Sequence, residues 1–477
     1  MTFEIAKNAI DFLVDKYAPN ASSYIVDLTG SGEPLLNIEL IKQITHYCEE
    51  RKNKIGKSIG ICFCSNFTKL TPDMIDFIEK SVIIGTSLDG DKITNDNNRI
   101  YANGKGSYDD VVEKLKLFKN KKVGIAVTIT PLNQNIDEIY ASLYNLPNVD
   151  CISMKFIRSF DNSAYDFDNF DVVNLTKHYE KLCENILDNL ADNNFDYLQK
   201  IIQGSDFFGA MMIDKLFRGV FITQVCDAGK NRIAVDSSGD IYACSVMVGE
   251  HVFKIGSINN PSIINNEEYK CLATYQSENC QDCIIKDMGC CGECYANSFL
   301  KHGDLFTPID KLCEIKIELH KLSMALVEKI KANYQNQYEK LVDFAFRSQR
   351  YLRTDSSIWA ISNFLKLKGI EVNFNYLNDN IRSDDYQINP VDVLTCLQKH
   401  IPNIGVYQVE NINDDKLLKY PAIAFVGSGN YDGNTYLLVN SDKEDYNVTT
   451  MNSNKPIKIS KKEFLLRYTN LFFAESF

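Results

Sequence analysis

Cysteine is the residue type in this sequence best placed to do chemistry: fifteen occur in the 477 residues, eight of them from Cys226 to Cys294, with Cys313 following closely. The spacing is Cys226-x12-Gly239-x4-Cys244, then Cys280-x2-Cys283-x6-Cys290-x3-Cys294, then Cys313. Short C-x2-C and C-x3-C knuckles on tight turns bring thiolates within reach of one metal centre, and Gly289 and Gly292 relieve the backbone there. Two chemistries suit such a set. One is iron-sulfur clusters; the other is structural zinc, since seven or eight thiolates could make two four-cysteine sites. Disulfides would need an oxidising compartment, and the N-terminus, MTFEIAKNAIDFLVDK, is an amphipathic helix with acids in it, unlike a signal peptide. A cytoplasmic protein is expected, and no apolar run is long enough to cross a bilayer. The six histidines show no HxxxH or HExxH spacing and read as surface or core residues.

The elements that must position these thiols come in three groups. Apolar residues make up 45% and charged residues 24%, as in a folded soluble protein, and the length predicts about three domains. The formal charge of −12, with no basic run, excludes nucleic acid as a partner. From residue 1 to about 195 helical stretches begin near Phe3, Asn37, Thr71, Ser107, Asn135 and Asn174. Between them lie the apolar runs 23–30, 60–66, 82–90, 124–131 and 151–158. That alternation reads as a parallel α/β sheet or barrel, with a helix first and one strand fewer than helices. Chemistry in such folds gathers at the C-terminal strand ends. Here those ends are Thr29-Gly30-Ser31-Gly32-Glu33-Pro34, Ser65-Asn66, Ser87-Leu88-Asp89-Gly90 and Thr130-Pro131. Lys155 and Arg158 lie near a further end, where Arg158 could contact a carboxylate. In the cysteine region RIAVDSSGDIYAC reads as a hairpin around Ser238-Gly239-Asp240. A helix is expected from about Asp310 to Gln337, and beyond it helices and several short strands form an α+β unit.

Taken in order, the strand ends resemble those of the radical S-adenosylmethionine (SAM) superfamily. GSGEPLLN looks like its GGEP turn, which implies that Gly30, Ser31, Gly32 and Glu33 hold the amino group of the cofactor's methionine moiety. CSNFT is similar to the superfamily's TNGT strand end, with Asn66 and Thr68 retained and Phe67 in place of Gly. SLDG, followed by Asn98-Arg99 and NGKGSYD, is similar to the segment found in peptide-modifying members, so that Ser87 and Asp89 join Asn66 as implied cofactor-binding positions. The superfamily's CxxxCxxC, whose cysteines hold the cluster that binds SAM, occurs nowhere in this sequence. The expectation is a truncated or split part of a maturase, or a relative that has lost radical initiation.

The cysteine pattern resembles the SPASM extension of the same enzymes, which binds two auxiliary [4Fe-4S] clusters. Carried over, Cys226, Cys244 and Cys294 would hold the first, with Cys271 or Cys291 as fourth ligand or that iron left open. Cys280, Cys283, Cys290 and Cys313 would hold the second. The family usually has five residues where this chain has six between Cys283 and Cys290, so the choice between Cys290 and Cys291 stays open. The last 125 or so residues weakly resemble papain-like bacteriocin leader peptidases. Asp355 is followed by Ser356 and Ser357 where that family has its nucleophilic Cys, and Asn434-Thr435 stands where it has the activating His. No histidine follows His400, so this domain should bind a peptide rather than cut it.

The expected architecture is therefore α/β: a partial radical-SAM-type (β/α)6 barrel lacking its first strand over 1–215, a Cys-rich SPASM domain over 216–337, and a C-terminal α+β domain over 345–477. The implied function is maturation of a ribosomally synthesised peptide, with two auxiliary [4Fe-4S] clusters, and SAM if the first cluster is restored. Implied partners are a precursor peptide, a catalytic homologue or N-terminal partner, and a reductant such as flavodoxin or ferredoxin. The alternative is a non-catalytic peptide-binding partner of a catalytic maturase.

Overall fold

The computed structural model describes residues 1–19, 21, 23–30, 32–204, 207–216, 228–229, 232–260, 280, 283–285, 290, 292–348, 360–370, 390–409, 416, 418–426, 435–449, 456–467 and 471–476. Ser31, Cys226, Cys271, Cys291, Gly289, Asp355, Ser356, Ser357 and Asn434 lie outside them. Helix α1 (Phe3–Phe12) comes first, with Thr2 Oγ1 accepting from Ile5 N at its start. There follow β1 (Ser23–Asp27), α2 (Ile38–Ile55), β2 (Ser58–Ser65), α3 (Pro72–Ser81), β3 (Ile83–Ser87), α4 (Lys92–Asn98), α5 (Tyr108–Leu115), β4 (Val123–Ile129), α6 (Ile136–Tyr144) and β5 (Val149–Phe156). The five strands form one parallel sheet in chain order, β1-β2-β3-β4-β5. Every run expected to be extended is a strand, and the expected helix starts hold to within two residues.

Sequential parallel strands joined by right-handed crossovers put their helices on one side of the sheet. The side chains sort accordingly. Ile59, Ile61, Phe63, Ile84, Val123, Ile125, Val127, Ile129, Ile152 and Met154 are buried against the helices in one continuous core. The opposite face carries small residues in register: Cys64 lies beside Gly85, Gly85 beside Gly124, and Ser87 beside Ala126. A Cβ on Gly85 would stand 3.3 Å from Gly124 O, and one on Gly124 3.3 Å from Cys151 Sγ, so crowding explains glycine at both. This face stays half-exposed, as the interior of a curved sheet with room for a ligand does.

Helices α7 (Val172–Ala191), α8 (Phe195–Gln203) and α9 (Phe207–Leu216) follow. After the cysteine region come α10 (Tyr295–His302), α11 (Asp310–Asn333) and α12 (Gln335–Ser348). The single helix expected over 310–337 is two, because Tyr334 leaves the helical conformation at φ −136, ψ 62. Ile315, Leu319, Leu326 and Ile330 of α11 share the core of the parallel sheet. The cysteine region contributes the antiparallel sheet β6 (Ala234–Val235), β7 (Asp240–Tyr242) and β8 (Lys254–Ser257). Its hairpin turns at Gly239, φ +90, with the Asp236 carboxylate accepting from Ser238 N and Asp240 N. Ile241, Phe253, Ile255 and Tyr295 there bury Phe12 of α1, and Tyr17 Oη donates to Gly229 O at 2.7 Å.

The C-terminal part is a six-stranded antiparallel sheet in the order β13-β12-β11-β10-β14-β9. Its strands are β9 (Ile404–Gln408), β10 (Lys419–Val426), β11 (Thr435–Ser441), β12 (Asp445–Thr449), β13 (Ile457–Ser460) and β14 (Leu471–Glu475). A helix over 360–367, α13, and α14 (Pro390–Gln398) bury Phe364, Leu365, Val393 and Leu397 against Ile423 and Phe473 of one face. Phe464 of α15 (Lys461–Arg467) joins Tyr446 and Phe472 in a second core.

Candidate functional site

The strand ends meet where the resemblance implies a cofactor. Glu33 sits at the start of a 3-10 turn, Pro34–Asn37, that leads into α2. Its carboxylate accepts from Ser65 Oγ at 2.6 Å, from Asn66 N at 2.8 Å and from Leu35 N at 3.1 Å. Glu33 thus fastens the GSGEP turn to the end of β2. Gly30 and Gly32 stand exposed, with no heavy atom within 4 Å of where a Cβ would be, so their backbone is open to an approaching group. Asn66 is exposed, and its Oδ1 accepts from Thr68 N and Thr68 Oγ1, which shapes the turn.

Position 67 explains the family's glycine: Phe67 has φ +59, a region that costs a bulky residue strain. The side chain is fully buried and stacks on Phe118 at 5.7 Å, while Lys114 Nζ donates to the carbonyls of Phe67 and Thr68. Ser87 lies on the half-exposed face with its Oγ 3.7 Å from Cys64 Sγ. Burial pushes the Cys62 thiol on the same strand up to about 12, with neighbouring Asp27 adding to it. Asp89 is 2% exposed and its carboxylate is engaged inside the protein. Arg99 Nε and Nη2 donate to its two oxygens at 2.9 Å each, and Thr128 N donates to Oδ1 at 2.9 Å. Its geometry is that of a strand-end clamp. Among the described residues Arg158 pairs with an amide and not a carboxylate: its Nε donates to Asn297 Oδ1 of α10 at 3.0 Å. Lys155 is exposed.

In the cysteine region, Cys244, Cys280, Cys283, Cys290, Cys294 and Cys313 are all partly buried. Cys283 N approaches Cys280 O at 3.5 Å in a tight turn, and Cys290 N donates to Ile285 O. Cys294 leads α10 and Cys313 lies in the first turn of α11. Burial pushes the Cys313 thiol up to about 12. Lys316 pulls it down, while Glu293, Cys290 and Cys280 push it further up, so these groups share one neighbourhood. Three of the four cysteines expected to hold the second cluster are therefore together. Among the described residues no three His, Cys, Asp or Glu side chains stand as ligands around a single metal ion. Soft, partly buried thiolates are the donor chemistry that an iron-sulfur cluster takes.

Sequence reasoning missed the partners that hold these residues. Spacing assigns no role to Arg99, Lys114, Glu293 or Lys316. The available signals were a charged residue between Cys290 and Cys294 and a lysine three positions after Cys313.

Residues 10–143 match the radical SAM superfamily model, and residues 226–284 match SPASM, an iron-sulfur cluster-binding domain. The chain carries radical SAM and SPASM domains. It is 27% identical over 290 residues to an uncharacterized protein of Methanocaldococcus jannaschii, covering 58% of this chain and 86% of the relative. It is 24% identical over 268 residues to a cysteine-type anaerobic sulfatase-maturating enzyme of Clostridium novyi, covering 53% of this chain and 66% of that enzyme. The solved structure of native anSMEcpe with bound AdoMet superposes with a TM-score of 0.54 at 17% identity, over 70% of this chain and 90% of that one, a likeness of fold. The radical SAM domain corresponds to the parallel sheet from α1 to α6, and the SPASM domain begins with the small antiparallel sheet. Among the described residues no helix is long and apolar enough to cross a membrane.

Proposed function

We propose that this chain acts as a radical SAM/SPASM-type maturase of a ribosomally synthesised peptide, binding SAM at the parallel-sheet mouth and two auxiliary [4Fe-4S] clusters in the SPASM domain. The observation that carries this reading is the match of residues 10–143 to the radical SAM superfamily and of residues 226–284 to the SPASM iron-sulfur domain, with Cys280, Cys290 and Cys313 near enough to feel one another's charge. With SAM and reduced clusters bound, the cofactors supply one-electron chemistry able to remove hydrogen from an unactivated carbon. The protein's share is positioning. Glu33 holds the turn whose open backbone at Gly30 and Gly32, with Ser31 between them, would receive the amino group of SAM. Asn66 and Ser87 border that space, and Asp89 braces it through Arg99. Cys226, Cys244 and Cys294 would hold the first auxiliary cluster, and Cys280, Cys283, Cys290 and Cys313 the second.

The precursor peptide would enter along the half-exposed face of small residues, and the C-terminal antiparallel sheet would grip its remainder, with flavodoxin or ferredoxin as reductant. Clostridium novyi and Bacteroides thetaiotaomicron relatives are sulfatase-maturating enzymes, which agrees with a polypeptide substrate. The test is anaerobic incubation of the full chain with reductant, SAM and candidate peptide. Formation of 5′-deoxyadenosine is expected, and its absence with clusters in place would overturn catalysis by this chain alone. One observation favours a second reading: the sequence contains no CxxxCxxC. A non-catalytic partner would bind the peptide yet yield 5′-deoxyadenosine only when a catalytic homologue is added.

A further inference from the structure

An ion pair lies buried among the SPASM cysteines. Lys316 Nζ stands 3.0 Å from Glu293 Oε2, with side-chain exposures of 7% and 4%. Removing two charges from water costs several kcal/mol per ion, and a well-packed apolar pair serves stability equally well or better. The pair's hydrogen bonds show what else it does. Lys316 Nζ also donates to Gly292 O at 2.7 Å. Glu293 Oε1 accepts from Cys294 N at 2.7 Å and from Asn297 Nδ2 at 3.1 Å. Asn297 Oδ1 in turn accepts from Arg158 Nε, just beyond β5 of the parallel sheet.

We propose that Glu293 and Lys316 are positioning residues that bracket the Cys290–Cys294 turn against the helix bearing Cys313, fix both relative to the sheet mouth through Asn297 and Arg158, and set the reduction potential of the adjacent cluster. The inference rests on the cluster reading given above. Its geometry is specific. Glu293 lies beside Cys294, Gly292 lies between Cys290 and Cys294, and Lys316 follows Cys313 by one helical turn. The bracket therefore touches backbone on one cysteine segment and side chain on the other. Two opposite charges held in a low-dielectric pocket beside a cluster act on its potential with opposite signs, because net charge around the cluster is one determinant of that potential. In the intact pair each charge balances the other, so the potential is held by their balance and moves when either is removed.

The experiment is a potentiometric titration of the anaerobically reconstituted full chain, followed by electron paramagnetic resonance, with iron counted per chain for wild type, Glu293→Gln and Lys316→Met. Glu293→Gln removes the negative charge of the pair and should move the midpoint to a more positive potential. Lys316→Met leaves Glu293 uncompensated and should move it to a more negative one, and the double variant should return towards wild type. Unchanged midpoints in both single variants with full iron would overturn the proposal, as would shifts in the same direction. If either charge variant does not fold, Asn297→Ala carries the test, since it removes the link to Arg158 at a partly exposed position. A displaced titration curve then supports the bracket and an unchanged one refutes it. A wild-type chain that takes up no iron would overturn the cluster reading itself, a result distinct from unshifted midpoints.

Discussion

At the scale of single residues, the mouth of the radical SAM domain is built from side chains whose work is to hold other residues in place. Phe67 occupies a left-handed backbone conformation that costs about 1–3 kcal/mol, yet its buried ring stacks on Phe118. Glycine would recover the strain and forfeit roughly 3–5 kcal/mol of packing. Phe67→Gly, although it restores the family's residue, should therefore lower stability by about 2 kcal/mol in denaturant unfolding, and an unchanged midpoint would contradict this balance. Arg99 is a sharper case. Replacing it by alanine leaves the Asp89 carboxylate, 3% exposed, without its bidentate partner, at a cost of about 3–5 kcal/mol. Arg99→Lys should recover only part of that, because an ammonium cannot match the planar fork. Thermal unfolding of the two variants checks both statements. The positions of Gly30, Glu33, Asn66, Ser87 and Asp89 at strand ends were legible in the sequence, since small and polar residues closing an apolar run mark a βα turn. The roles of Glu33 and Asp89 were not, because their partners, Ser65 and Arg99, lie 32 and 10 residues away and only the fold joins them.

At the scale of elements, the alternation of periods placed every strand of the parallel sheet, because short apolar runs alternate with amphipathic crossovers. The hairpin around Gly239 was equally legible from its turn residues. The break at Tyr334 was not, since neither Gly nor Pro stands there to mark it. In the C-terminal sheet, Lys368 and Lys419 flank Glu475 on β14, at 3.1 and 3.3 Å. Burial raises the Glu475 pKa, and the hydrogen bonds and charges of the two lysines outweigh it, holding the carboxyl below its ordinary value. A carboxyl held low contributes stability that is present above the unfolded value of about 4.3 and is lost as pH falls through the folded one. Between roughly pH 5 and 3 the wild type should lose stability more steeply than Glu475→Gln. Parallel slopes would show that the pair contributes nothing there.

At the scale of the whole molecule, two facts have to coexist: a sequence without CxxxCxxC and a match to SPASM, an iron-sulfur cluster-binding domain. The SPASM spacing was readable because its cysteines are close in sequence. Its attachment to the α/β sheet was not, since it runs through Phe12, Tyr17, Arg158 and Lys301, the last pairing with Asp168 at 2.6 Å. The central claim is that these thiols hold iron, and the direct measurement is iron, sulfide and zinc per chain after anaerobic purification. About eight irons with matching sulfide, two [4Fe-4S] clusters, is the result predicted. Near-zero iron with about one or two zincs per chain would contradict it and make the cysteine region a structural zinc module.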